Sequence, residues 1–298
     1  MKHSIRPLAI VVGCLLSWLN VGGAHLSPED SSRTNYFRVM TFNIRYDEPR
    51  DKENGWPHRR ALVASMIRFH QADVIGVQEA LKHQLDDLEN LLPDFAWVGV
   101  GRDDGKNKGE FSAILYRKAR LTIAGTSRFW LSETPGIPGS KGWDSAYPRI
   151  VTWARLRDRT TGKTLFLFNT HFDHRGTRAR EESARLLRKE IERIAGLTPA
   201  VVTGDFNFTE SSNGYRILTE GRAGEKTLLR DARYISRHGH HGPTSTFNEF
   251  KKLVPDMKID FILVTNGVEV LQHGVLLDSC EGRFASDHLP VLAEVVIK

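Results

Sequence analysis

Short apolar runs alternate with polar turns from residue 37 to residue 298, and helical spacing interrupts them at a few places. Short runs rich in β-branched and aromatic residues predict strands, whereas apolar residues three or four apart predict helices. Helices are predicted at Trp56–His70, Leu81–Leu92, Gly176–Ile194 and Tyr215–Leu218. Strands are predicted at Phe37–Arg45, Asp73–Val77, Phe95–Val100, Phe111–Tyr116, Leu121–Trp130, Ile150–Leu156, Thr164–Phe172, around Val201, and at Ile259–Val264, Val268–Leu277 and Pro290–Ile297.

The order of these elements predicts the fold class. Strands outnumber helices, several strands follow one another as meanders, and a regular βαβ alternation is absent from the pattern. This order is typical of an α/β protein in which two mixed β-sheets pack face to face with helices outside. It does not fit a Rossmann fold or a (βα)8 barrel. No Pro/Ser-rich linker or repeat interrupts residues 37–298, so we expect one domain there.

Polar side chains stand at the ends of many of these predicted strands. The run Ala200-Val-Val-Thr, for example, passes through Gly204 into Asp205 and Asn207, which lie two apart and so point the same way in a strand. A single Asp or Asn at a strand end usually caps a turn, but recurrence at so many ends favours a shared site. The full set is Asn43, Glu79, His171, Asp173, Asp205, Asn207, Asp260, Asp287 and His288. Carboxylate, amide and imidazole groups that converge in this way suit phosphoester hydrolysis with a hard metal ion.

Six segments that carry these residues resemble, in the same order, motifs of the endonuclease/exonuclease/phosphatase superfamily, whose fold is the DNase I-like fold. The segments are Met40-Thr-Phe-Asn43-Ile-Arg, Val77-Gln-Glu79, Asn169-Thr-His171-Phe-Asp173, Gly204-Asp205-Phe-Asn207, Ile259-Asp260-Phe and Ser286-Asp287-His288-Leu-Pro290. Two more segments, Asn54-Gly-Trp56-Pro-His-Arg and Tyr147-Pro-Arg149, resemble a bacterial branch that is often exported. The resemblance implies a four-layer α/β sandwich and a divalent metal, usually Mg²⁺, with Mn²⁺ as the alternative.

The resemblance also implies roles for the residues nearest the metal. Glu79 would be the principal ligand with Asn43 beside it, and Asp287 would bind or lie near a second metal position. Oxygen donors of this kind suit Mg²⁺, and the matched motifs hold no His/Cys cluster that would favour zinc. His288 would be the general base or the imidazolium that balances charge at phosphorus, and Asp260 would hold its other ring nitrogen.

The remaining roles concern water and phosphate. The resemblance implies that Asp205 orients the attacking water, that Asn207 holds a phosphate oxygen and that His171 donates to the phosphate or leaving group. Glu110 matches the place of a glutamate that partners this histidine, and Arg149 would clamp phosphate. Without the resemblance, a core histidine would be the favoured interpretation of His171, Glu110 could be a solvated loop acid, and Arg149 could be a surface arginine.

Two further groups of residues invite a functional interpretation. His238, His240 and His241 suggest a metal site, but Gly239 and Gly242 surround them and predict a solvated loop instead. Trp143 lies in the Gly/Pro-rich loop Pro135–Pro148, before Arg149, and is a candidate for the rim of a substrate pocket.

The N-terminus predicts export. Lys2 and Arg6 precede the apolar run Leu8–Leu19, and Gly22-Gly-Ala24 offers a cleavage site, so residues 1–24 are expected to be a signal peptide and residues 25–36 a flexible segment. Lipoprotein processing at Cys14 is the alternative. The exported chain would be periplasmic or secreted, and after cleavage Cys280 would be its only cysteine, so no disulfide could form within it.

The predicted activity is that of a Mg²⁺-dependent phosphoesterase that hydrolyses a phosphodiester, or a phosphomonoester, by direct attack of an activated water. No Ser or Cys stands beside a base in the matched motifs, so a covalent intermediate is not implied. The formal charge of +6 is weak evidence for a polyanion. Nucleic acid, a phospholipid headgroup and a small phosphodiester remain open as substrates, and the chain is expected to be a monomer with no transmembrane segment once processed. The alternatives are an inactive binding module on the same fold and, less favoured, a glycoside hydrolase.

Overall fold

The computed structural model describes residue 1 and residues 36–220 and 229–298. The predicted signal peptide beyond Met1, the alternative processing site at Cys14 and residues 25–35 lie outside the described residues. The strands are Phe37–Asn43 (β1), Val74–Ala80 (β2), Phe95–Val98 (β3), Phe111–Arg117 (β4), Leu121–Trp130 (β5), Ile150–Asp158 (β6), Thr164–His171 (β7), Ala200–Asp205 (β8), Arg230–Asp231 (β9), His240–His241 (β10), Asp260–Val264 (β11), Val268–Val275 (β12), Ser279–Cys280 (β13), Arg283–Phe284 (β14) and Val291–Ile297 (β15). The α-helices are Trp56–Phe69 (α1), Lys82–Leu91 (α2), Thr177–Ala195 (α3), Asn213–Thr219 (α4) and Ala232–Ile235 (α5), and a 3-10 helix spans Pro49–Asn54.

Two mixed β-sheets form the centre of the molecule. The first has the strand order β10-β12-β15-β1-β2-β4-β3, and the second has the order β5-β6-β7-β8-β11-β9. In the first sheet β1 runs parallel to β2, and in the second β7 runs parallel to β8, whereas β1 and β15, β2 and β4, and β8 and β11 are antiparallel pairs. The predicted fold class, with two packed mixed sheets flanked by helices, is confirmed.

Three apolar clusters hold the four layers together. Val39 of β1 and Val201 of β8 belong to the cluster between the sheets. Ile67 of α1 packs in a second cluster on the outer face of the first sheet. Leu187 and Ile191 of α3 pack in a third cluster on the outer face of the second sheet. Because each strand sends alternate side chains to opposite faces, one apolar strand serves two of these clusters at once.

A polar contact joins the sheets just below the strand ends. Gln78 Nε2 donates to Asn169 Oδ1 at 2.7 Å, and Thr203 Oγ1 donates to the same oxygen at 3.0 Å. A Cβ added to Gly76 would collide with the side chains of Thr203 and Asn169. Gly76 is therefore required for the close approach of β2 to the second sheet. This approach sets the distance between the polar side chains at the strand ends of the two sheets.

Most predicted elements are present, and one expectation for the histidine segment is wrong. His240 and His241 form the short strand β10, which pairs in parallel with β12, rather than a solvated loop. His240 Nδ1 lies 2.9 Å from Nδ1 of the buried His273, which explains why this segment is ordered against the sheet. No helix within residues 36–220 and 229–298 is long and apolar enough to cross a membrane.

Candidate active site

Strand geometry brings four of the predicted site residues together between the sheets. Val201 of β8 faces the other sheet, so Asp205, four residues later, faces the same way. Asp205 pairs with His171 across the parallel β7 and with Asp260 across the antiparallel β11. Asn43 ends β1 on the opposing sheet, and its side chain reaches Asp205. The period of two therefore directs all four side chains into one space at the edge of the sandwich.

The amide of Asn43 is the central contact of this space. Its Nδ2 donates to Glu79 Oε1 at 3.0 Å and to Asp205 Oδ2 at 2.9 Å, and lies 3.5 Å from Nε2 of His288. Glu79 sits at a bulge in β2 with φ of 63°, a conformation that β-strands rarely contain and that recurs at functional sites. Three segments that are far apart in sequence thus meet at one amide nitrogen.

His288 is enclosed by carboxylates. Its Nδ1 lies 2.9 Å from Asp260 Oδ2, and its Nε2 lies 3.8 Å from Asp205 Oδ2. Burial lowers the pKa of His288, but the charges of Asp260, Asp205 and Asp287 outweigh it and hold the pKa well above its ordinary value. This environment therefore favours the imidazolium form of the ring. His288 can act as a base only if another positive charge compensates part of the negative charge of the surrounding carboxylates.

Asp287 and Arg45 complete this side of the site. Asp287 Oδ2 lies 3.8 Å from Arg45 Nε, and Arg45 Nη1 lies 3.9 Å from Glu79 Oε2. Burial raises the pKa of Asp287, and the nearby Glu79 charge adds to this rise. Burial likewise raises the pKa of Asp205, and the Asp260 charge adds to it. These buried carboxylates repel one another, and an added cation would relieve that repulsion.

The donor set on this side fits a hard divalent cation. Glu79, His171 and Asp205 each present one ligand atom within 4.8 Å of the others, and so do Asp205, Asp260 and His288. The buried Asp260 Oδ1 has no hydrogen-bond partner within the described residues. Asn43 fits less simply, because its Oδ1 accepts from the Arg45 backbone N–H at 3.0 Å and its nitrogen faces the carboxylates. For Asn43 to bind the metal through oxygen, as predicted, its side-chain amide has to flip so that Oδ1 faces the carboxylates.

His171 lies in the opposite electrostatic environment. Burial lowers its pKa to about 3, and the neighbouring Arg149 charge adds to this effect. Its Nε2 accepts from Asn207 Nδ2 at 2.9 Å, so the neutral ring carries its proton on Nδ1. That nitrogen lies 3.7 Å from Glu110 Oε2 and has no hydrogen-bond partner within the described residues. The pairing of Glu110 with His171 that the resemblance implied is thus a proximity without a formed bond.

Two buried arginines stand beside His171. Arg149, 3% exposed, places Nε 3.4 Å from Asp173 Oδ2 and Nη2 3.0 Å from His174 Nδ1. Within the described residues its Nη1 has no hydrogen-bond partner. Arg102 Nη1 donates to Glu110 Oε2 at 2.6 Å. Burial lowers the pKa of Arg149, and the Arg102 charge lowers it further, so an incoming anion would relieve both effects.

The predicted rim residue Trp143 is half-buried in the loop before Arg149. Its backbone N–H donates to the Glu133 carboxylate at 3.2 Å, and its place at the rim of a substrate pocket stays a prediction. Tyr147, 48% exposed, stacks on His174 at 5.9 Å, and the Arg102 guanidinium lies 5.2 Å from its ring centroid. Tyr147 is therefore an exposed aromatic side chain in contact with both His174 and Arg102.

Sequence reasoning missed Arg59 and Arg102. Arg59, 3% exposed, donates to the carbonyls of Ile44 at 2.7 Å, Ala285 at 2.8 Å and Arg45 at 3.2 Å. It thereby ties the end of β1 to the segment that carries His288. The motif Asn54-Gly-Trp56-Pro-His-Arg contained Arg59 and could have indicated it. Arg102 lies in a glycine-rich loop with no comparable motif.

Comparisons with known proteins agree with this geometry. The model of the Endonuclease/Exonuclease/phosphatase family matches residues 40–288. An endonuclease/exonuclease/phosphatase structure from Bacteroides vulgatus is 40% identical with a TM-score of 0.83, covering 88% of this chain and 99% of that chain. The mannosyl-6-phosphatase of Bacteroides thetaiotaomicron is 36% identical with a TM-score of 0.80, covering 88% and 100%. The CCR4-Not complex 3'-5'-exoribonuclease subunit Ccr4 of Aspergillus niger is 22% identical, covering 82% of this chain and 48% of that protein.

Proposed function

Because the chain belongs to the endonuclease/exonuclease/phosphatase family, whose members are divalent-metal-dependent hydrolases of phosphoesters, we propose that it is a Mg²⁺-dependent phosphoesterase that uses water directly. The observation that carries the proposal is that one half of the candidate active site is acidic and the other half is basic. Carboxylates surround His288 on one side, and buried arginines flank His171 on the other, where Arg149 Nη1 has no hydrogen-bond partner among the residues that the structure describes.

Glu79 would be the principal ligand of the metal, with Asn43 beside it, and Asp287 would bind or lie near a second metal position. A divalent cation there would neutralise carboxylate charge and the charge that develops on the phosphoryl group. Asp205 accepts from Asn43 and lies 3.4 Å from His171 Nε2, so it can orient a water between the two sides of the site. Asp260 holds the His288 ring by its Nδ1, which leaves Nε2 free to exchange a proton with that water.

The arginine side would receive the phosphate. Nη1 of Arg149, which has no hydrogen-bond partner among the described residues, would donate to a non-bridging oxygen. Asn207 Nδ2 would donate to a second one by giving up one of its present contacts, with His171 or with the Phe172 carbonyl. His171 is neutral, so it can offer a ring N–H without adding a second charge. Charge at phosphorus would then be stabilised from both sides, as phosphoryl transfer requires.

The alternative, an inactive binding module on this fold, predicts the loss of a base or of a metal carboxylate. Glu79, Asp205, Asp260 and His288 are all present and in mutual contact through Asn43 or through one another. Their presence favours the enzyme.

We further propose a sugar phosphate as the first substrate class to test. The mannosyl-6-phosphatase relative is matched over its full length at 36% identity, whereas the exoribonuclease subunit is matched over about half of its length at 22%. Phosphodiesters, nucleic acid and phospholipid headgroups remain in the test panel. Export, to the periplasm or beyond, stays part of the proposal; mass spectrometry of the exported protein should give an N-terminus at His25.

The deciding experiment is a hydrolysis panel with the purified full-length or signal-free chain. The substrates are p-nitrophenyl phosphate, its bis-ester, hexose phosphates, oligoadenylate, DNA and sphingomyelin, each with Mg²⁺, with Mn²⁺ and with EDTA. We expect release of phosphate or alcohol with metal and none with EDTA. Equal rates with EDTA would contradict metal dependence, and no turnover on any substrate would favour the binding module.

A further inference from the structure

A pocket whose wall is partly polar and partly apolar, with Phe208 in the apolar part, adjoins the candidate active site at Asn207. It lies between the first turns of α3 and the loop from β8 to α4, and its volume is about 240 Å³. Asn207 forms part of its wall, and the same side chain donates to His171 Nε2 at 2.9 Å and to the Phe172 carbonyl at 3.0 Å. Asn207 thus links the wall of this pocket to the residues around His171.

The pocket wall combines hydrogen-bond donors with acceptors. Arg180 is held by the Asp173 carbonyl at 3.0 Å and by Thr177 Oγ1 at 3.2 Å, which fixes its guanidinium at the wall with other N–H groups to spare. The Glu181 carboxylate supplies acceptors, and its ion pair with Arg185 is long, at 3.9 Å. The Asn213 amide makes no hydrogen bond to another described residue, so it has donors and an acceptor to offer.

This mixture selects against two kinds of occupant. An apolar chain would leave these polar groups without partners, which is unfavourable. A drug-sized ligand would not be enclosed, because clefts that enclose such ligands measure roughly 300–1,000 Å³. A hydroxyl group both donates and accepts, so several hydroxyls on one small ring would match the wall.

We propose that this pocket binds the polyhydroxylated leaving group of the substrate, a single sugar ring or a polyol of similar size. The inference rests on the proposed phosphoesterase function and narrows its substrate class to sugar phosphates. The phosphate is held at Arg149 and His171, Asn207 separates the two subsites, and the sugar hydroxyls contact Arg180, Glu181 and Asn213.

The test compares two substrates that share the phosphate and differ in the leaving group. The ratio of kcat/KM for a hexose 6-phosphate to kcat/KM for p-nitrophenyl phosphate is measured for the wild type, Glu181→Gln and Asn213→Trp. Glu181→Gln weakens a charged hydrogen bond and should lower the ratio roughly tenfold. Asn213→Trp fills the pocket and should lower it further. Free hexose should inhibit the wild type competitively and lose this effect in Asn213→Trp.

Glu182→Gln is the matched control, because Glu182 lies next to Glu181 on α3, its carboxylate hydrogen-bonds to Arg185, and it is not part of the pocket wall. Its ratio should equal that of the wild type. Hydrolysis of p-nitrophenyl phosphate by each variant reports that it is folded. A ratio that stays constant in Glu181→Gln and Asn213→Trp would overturn the assignment, as would a wild-type preference for oligoadenylate. Neither result would touch the phosphoesterase proposal, which fails only if the wild type shows no metal-dependent hydrolysis of any ester.

Discussion

Two histidines face the same space from environments of opposite charge. His288 is surrounded by Asp260, Asp205 and Asp287, which hold its pKa well above the ordinary value despite burial. His171 is equally buried, but Arg149 adds to the effect of burial, and its pKa falls to about 3. The charges of the neighbours, together with the hydrogen bond between His288 and Asp260, distinguish the two rings.

The difference indicates how the site is divided. The acidic half suits a cation and a ring that can exchange protons, whereas the basic half suits an anion and a ring that stays neutral. Asn43 and Asp205 lie at the boundary, since each contacts groups of the acidic half and Asp205 also approaches His171. A phosphate ester with its metal needs both environments within a few ångströms.

Removing the central carboxylate of the acidic half should have the largest effect. Glu79→Gln keeps the shape of the side chain but removes the charge that would bind the metal, so kcat/KM should fall by about a thousandfold or more. Steady-state assays at saturating and limiting Mg²⁺ would measure this loss. Glu89→Gln, at an exposed position of α2, is the matched control and should behave like the wild type.

Breaking the His288–Asp260 pair should have the next largest effect. Each alanine variant should lose about a hundredfold to a thousandfold in kcat, because a positioned acid–base group contributes about that much. The double variant should lose little more than the worse single variant, since the two side chains act as one unit. Fully additive losses in this cycle would argue against the 2.9 Å contact as the functional link.

Removing the guanidinium of the basic half should reduce activity by about a hundredfold and change His171. Arg149→Met keeps much of the buried volume but removes an anion donor. It also removes a charge that lowers the pKa of His171, so that pKa should rise. NMR titration of the His171 ring in the wild type and the variant would detect this shift. An unchanged pKa would mean that burial alone sets the neutral state.

The smallest expected effect is on stability: in metal-free protein, His171 and His288 should contribute to the free energy of unfolding with opposite dependence on pH. His171 has a folded-state pKa of about 3, so the unfolded chain binds the extra proton below about pH 6.5 and stability falls with acid, with a slope of up to ~1.4 kcal/mol per pH unit. His288 has a raised folded-state pKa, so its contribution is complete below about pH 6.5 and is lost as pH rises through the folded value.

Urea unfolding of His171→Gln and His288→Gln in EDTA would separate these contributions. The first variant should lose stability less steeply in acid than the wild type. The second should lose it less steeply in alkali. If unfolding free energy depended on pH in the same way in both variants, the proposed electrostatic difference between the acidic and basic halves would be wrong.

The sequence predicted the elements well where their pattern was strong. The helix Gly176–Ile194 corresponds to α3, Thr177–Ala195, and the strand Leu121–Trp130 corresponds to β5 with the same bounds. The loop prediction for His240–His241 was wrong. Neighbouring glycines favour a loop locally, but residues far along the chain decide the pairing with β12 and the contact with His273. The family prediction was confirmed, and the roles of the individual site residues stay predictions.

The sequence by itself determined which groups are available and on which side of each strand they lie. Alternation along β8, for instance, fixes that Asp205 faces the same way as Val201. Only the tertiary structure decided the charge around each group. Arg149 and Arg102 lie far from His171 in sequence, and Arg59 reaches carbonyls of both β1 and the His288 segment across the fold. Charge interactions depend on distance in space and on exclusion of water, and neither can be read from the order of residues along the chain.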